Sequence, residues 1–183
     1  MSIMADASRL IVIENWSGKY MINQEILEPV ARALCKKFTE LKHVPVPAIL
    51  WLVNTEGKGK DGDKKAYAKI SKLADKWSDL IYQVTGRRFQ YIAEVFKVNM
   101  DDLTWSQQVM VIYRELRRIG ADGELKHYGI EDWPEVFYAL GPGYLGKDRI
   151  LPNLLEDGIT FHNINPQTNL FDQDEKTPAT AVY

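Results

Sequence analysis

The chain has almost no cysteine and almost no histidine, and both shortages narrow its chemistry. Cys35 is the only thiol among 183 residues, so no disulfide can form within the chain, which suits a reducing cytosol. A lone thiol of this kind reads as a small buried apolar group before it reads as a nucleophile. With His43, His127 and His162 as the only imidazoles, the paired spacings of a zinc finger are missing. No apolar run approaches the roughly 18 residues that span a bilayer. The first residues also lack a basic stretch followed by a long apolar one, so neither a membrane span nor a secretory leader is expected. An excess of one charge is absent too: 23 Lys and Arg face 25 Asp and Glu, a net charge of −2. That excludes a global positive field for nucleic acid and a disordered acidic tail. The expectation is a cytoplasmic protein without a membrane partner.

What is present is an ordinary apolar content of 45%, enough at this length for one domain with a real core. The expected organisation is an N-terminal arm over 1–22, a single domain over 23–161 and a flexible tail over 162–183. In the arm, Leu10 to Ile13 is a short β-prone run, and Trp16 is a candidate partner anchor. Ile26, Val30, Ala33, Leu34, Phe38 and Leu41 have helical spacing, with Pro29 expected in the first turn. Ala48 to Val53 reads as a strand. Residues 54–65, NTEGKGKDGDKK, read as a loop whose lysines Lys58, Lys60, Lys64 and Lys65 are possible phosphate contacts. Ala66 to Val84 reads as a second amphipathic helix ending at Gly86. Phe89 to Val98 is aromatic and β-branched and reads as a strand. Thr104, with Gln107 three residues on, opens a helix through Ile119. Glu131 to Leu140 reads as a further helix, with Trp133, Phe137 and Leu140 inward. Trp51, Trp77, Trp105 and Trp133 are expected in or beside the core. Residues 141–161 are Gly- and Pro-rich. These periodicities predict an α+β fold in which helices pack a small mixed sheet.

Familiar catalytic arrangements are missing. Gly57, Gly59 and Gly62 do not make a phosphate loop, because Lys60 is not followed by Ser or Thr. No Ser-His-Asp or Cys-His grouping is supported. The informative stretch is VMVIYRELRRIGADGELKHYGIEDW, Val109 to Trp133.

With AILWLVN, AYAKISKLADKW and FQYIAEVFKVNMDDLTWSQQ before it, this stretch resembles the putative phage metallopeptidase family across roughly residues 45–161. IYREL and IEDW are the strongest local matches. The resemblance implies a zincin-like scaffold with a His-Glu-x-x-His helix. In that motif two histidines four apart share a helix face and hold Zn²⁺, and the glutamate between them is the general base. A third histidine follows after a glycine-containing loop.

This chain departs from that pattern at the metal. Arg114 and Arg118 stand at the places of the two helix histidines, Glu115 at that of the glutamate, and Tyr128 at that of the third ligand, beside His127. Arginine has no lone pair for a metal and stays charged. No cofactor is therefore expected, and Glu115 is a vestigial base. The arginines are expected to pair with Glu115 or with Glu131 and Asp132; otherwise, with Arg117 and Lys126, they form an anion site. The first functional expectation is a phage- or prophage-encoded, catalytically inactive scaffold that binds or inhibits a host or phage protein. A divergent hydrolase, with weak divalent-metal binding by His127, Glu115, Asp132 and Glu131, is the alternative. A nucleic-acid binder, using the loop lysines with the helix arginines, is another.

Overall fold

A computed structural model of the protein describes residues 18–61, 64–127 and 132–164. The run Leu10 to Ile13, Trp16, Tyr128, Glu131 and the tail beyond Ile164 lie outside the described residues. Four strands form one mixed sheet: β1 (Tyr20–Ile22), β2 (Ile49–Asn54), β5 (Ala68–Lys72) and β6 (Tyr91–Phe96), in the order β1-β2-β6-β5. β2 and β6 run parallel, with Ile49 opposite Tyr91 and Val53 opposite Val95; both outer pairings are antiparallel. Two two-residue strands, β3 (Lys60–Asp61) and β4 (Lys64–Lys65), make a small hairpin inside the lysine-rich segment read as a loop. The helices are α1 (Gln24–Lys37), α2 (Asp75–Thr85), α3 (Lys97–Met100), α4 (Trp105–Arg117) and α5 (Pro134–Leu140). The fold is α+β, as the periodicities predict.

Alternation places one face of the sheet in the core. Ile49, Trp51, Val53, Tyr91, Ala93, Val95 and Ile70 are all buried, one row of side chains from three strands. α1 and α4 pack on that row through Leu27, Ala31 and Leu34, and through Val109, Ile112, Tyr113 and Leu116. α1 begins earlier than expected. Asn23 caps it by accepting from the Ile26 N–H, which leaves Pro29 beyond the first turn and removes one helical hydrogen bond. α4 starts as expected, with both arms of a Thr104–Gln107 capping box formed. Phe161 stacks within 5.5 Å of Phe38 and 5.0 Å of Tyr113, and Ile164 is buried, so packing continues past His162.

One predicted element is wrong. Ala66 to Val84 is not a single helix but strand β5, a turn, and helix α2. Ile70, Leu73 and Trp77 fall by coincidence at helical spacing, while pairing of Lys69 with Glu94 and Ser71 with Ile92 makes the first part a strand. α2 buries none of its residues, and Trp77 is 55% exposed instead of in the core. Phe137, expected inward, is partly exposed as well. The strand after Arg88 is shorter than predicted, because Lys97 already starts α3.

Candidate functional site

The arginines of α4 lie at its C-terminal end, where three elements meet: edge strand β5, the connection after Ile119, and the start of α5. Residues 114 and 118 share a helix face, and residue 115 turns toward β5. In the β5–β6 ladder, Tyr67 and Leu73 make their backbone bonds on the β6 side, so the intervening Ile70 N–H points out from the sheet edge. Glu115 receives it: Oε2 accepts from Ile70 N at 2.8 Å in a buried setting. The same oxygen accepts from Arg118 Nη1 at 3.2 Å. The side chain of Glu115 is only 8% exposed. Burial pushes its carboxyl above the usual carboxylate range, against the pull of Arg118, of the Ile70 N–H and of Arg114.

Arg114 turns the other way. Its Nε lies 2.9 Å from Oδ2 of Asp132 and donates to Oδ1 at 3.1 Å. Asp132, with 4% of its side chain exposed, also accepts from the Tyr144 hydroxyl and from the Trp133 backbone N–H at 2.8 Å. Arg117 pairs with Glu135 at 2.7 Å, and its guanidinium lies 4.9 Å from the Trp133 ring centre. The Trp133 indole N–H donates to the Arg114 carbonyl at 3.2 Å. Arg114 and Arg117, three apart on α4, thus meet Asp132 and Glu135, three apart at the start of α5. With Arg118 and Glu115, three guanidiniums are paired with three carboxylates among the described residues. Beside it, a cavity of about 280 Å³ is walled by Phe137, Pro142, Tyr144 and Leu145, with Arg114 and Asp132 in its lining.

The other predicted residues are placed elsewhere. His127 is exposed next to Lys126, whose backbone N–H returns to the Arg118 carbonyl at 2.7 Å. Lys58 is exposed, and Lys65 pairs with Asp102 and lies over the Tyr67 ring. Asp102 precedes the N-terminus of α4, whereas the arginines end it about 20 Å away by helical rise. Lys65 and the helix arginines therefore do not form one patch. Three partners escaped the sequence reading: the Ile70 N–H, concealed by the false helix, Glu135, which pairs with Arg117, and Tyr144, in a Gly- and Pro-rich stretch without periodicity.

Residues 19–157 match the family described as Putative phage metallopeptidase. The chain belongs to this family. Neither a curated protein nor a solved structure matches it. The α+β scaffold is zincin-like. The donor set at the end of α4 does not fit a three-ligand zinc centre. Arg114 and Arg118 are guanidiniums engaged with carboxylates, and Oε2 of Glu115 is occupied by a backbone N–H and an arginine. Among the described residues, no group of three or more His, Cys, Asp or Glu is placed to hold a metal ion. Among the same residues, no helix is long and apolar enough to cross a membrane.

Proposed function

We propose that this member of the family is catalytically inactive and acts in the host cytoplasm as a binding or inhibitory protein toward a host or phage protein. The observation that carries the reading is the occupancy of the helix site. Arg114 and Arg118, at the positions the sequence resemblance assigns to histidines, are both engaged with buried carboxylates. Oε2 of Glu115 already accepts from Ile70 and Arg118, which draws that oxygen away from work as a base on water. The cavity beside the cluster is open to a partner. Tyr138, whose ring meets that of the lining residue Phe137, is 77% exposed, an aromatic group of the kind that anchors protein interfaces.

The test is metal content and peptidase activity of the untagged protein, expressed with added zinc and measured by plasma mass spectrometry and a casein assay. The expected result is substoichiometric zinc and no metal-dependent cleavage. Close to one zinc per chain, or cleavage abolished by chelator and restored by zinc, would overturn the proposal.

A further inference from the structure

Arg114 and Arg118 lie one turn apart on α4, and each reaches a different end of the same connection. Arg118 Nε donates to the Lys126 carbonyl at 3.4 Å at one end, and Arg114 Nε meets the Asp132 carboxylate at 2.9 Å at the other. Each also neutralises a carboxylate that the fold buries, Glu115 in one case and Asp132 in the other. Two positive charges therefore sit between helix and connection, opposite two buried negative ones. A zinc ion held by two neutral imidazoles of the helix and a ligand from the following segment would join the same two parts with the same charge. From this we infer that Arg114 and Arg118 act together as a charge-equivalent substitute for a divalent ion, cross-linking α4 to Lys126 and Asp132.

Charge conservation makes the pair interdependent. Losing either guanidinium strands one buried carboxylate, the expensive way to break a buried ion pair. Arg117 is the internal control. It sits on the same helix end and pairs with Glu135, but both side chains are more exposed, 22% and 28%. A metal would have supplied directional bonds to three ligands; guanidiniums supply forked hydrogen bonds and charge. The substitute can hold the two parts together, but it offers no open coordination position.

The inference rests on the metal-free reading above but fails separately from it, since that reading is tested on the wild type and this one on variants. Thermal melts of the full chain are the measurement. Arg114→Met and Arg118→Met each lower Tm by about 10 °C, and Arg117→Met by less than half of that. Arg114→Met/Asp132→Asn, which removes both charges but keeps an acceptor for the Trp133 N–H and a partner for the Tyr144 hydroxyl, recovers most of the Arg114→Met loss even if Arg114→Met alone fails to fold. Arg114→His/Arg118→His/Tyr128→His, which supplies three imidazoles, melts below wild type in chelator-treated buffer. Zn²⁺ at a hundredfold excess over its Kd then raises that Tm by about 5–10 °C and leaves wild type unmoved. Three results would overturn the inference: Arg114→Met or Arg118→Met no more damaging than Arg117→Met, no recovery in Arg114→Met/Asp132→Asn, or a triple-histidine variant indifferent to Zn²⁺.

Discussion

Replacing Glu115 by alanine removes a side chain that hydrogen-bonds α4 to the edge of the sheet, and its cost can be worked from two contacts. The Ile70 N–H, bonded at 2.8 Å in a buried setting, loses its acceptor; an unsatisfied buried donor costs about 1–3 kcal/mol. Arg118, only 13% exposed, loses its carboxylate partner. Breaking a buried pair on one side costs about 3–5 kcal/mol, and we take the lower end because Arg118 keeps its bond to the Lys126 carbonyl. The expected loss for Glu115→Ala is therefore about 4–6 kcal/mol, a large share of the stability of a domain this size. Glu115→Gln keeps an oxygen for Ile70 and forfeits only the charge, so its loss at neutral pH is under half of that. Urea unfolding followed by tryptophan fluorescence reads both, as a fall in midpoint at unchanged slope. The reasoning would be refuted by Glu115→Ala within about 0.5 kcal/mol of wild type, or by Glu115→Gln as damaging as Glu115→Ala. The pH dependence supplies a sign. The folded carboxyl titrates above its ordinary 4.5, so its contribution is full below that value and is lost as pH rises through the folded value. Wild type should therefore lose stability relative to Glu115→Gln as pH rises from about 4.5.

Glu28 should behave in the opposite sense. Its burial pushes the carboxyl upward, but hydrogen bonds from Arg32 and Arg87 outweigh this and hold it below 4.5, so its stabilisation is present above that value and fades as pH falls. The urea midpoint of Glu28→Gln, measured from pH 7 to pH 3, should therefore fall less steeply than that of wild type; parallel curves would disprove the linkage. Trp77 and Trp51 should separate sharply by the same measurement: Trp77→Ser, on the exposed face of α2, changes stability by less than about 0.5 kcal/mol, whereas Trp51→Ala, fully buried, costs about 3–5 kcal/mol. Similar losses for the two would contradict the packing described.

The legible parts of the sequence were those where one local rule dominated. Thr104 and Gln107 announce the start of α4 through a cap that closes within four residues, and the apolar run of β2 and the aromatic and β-branched run of β6 need no distant information. The division between β5 and α2 was not legible, because Ile70 satisfies helical spacing with Leu73 and Trp77 and strand pairing with Ala93 equally well; only the presence of β6 alongside decides for the strand. The same holds for the site. The sequence by itself determined which charges gather at the end of α4, and it named Glu115, Glu131 and Asp132 as carboxylates its arginines could meet. Tertiary structure alone decided that Glu115 would accept an edge N–H of β5, that Arg114 would take Asp132 beside Tyr144, and that Arg117 would settle on Trp133 and Glu135. Those partners lie 16 to 45 residues away along the chain, and no periodicity encodes which of many carboxylates or backbone groups a folded helix end will meet.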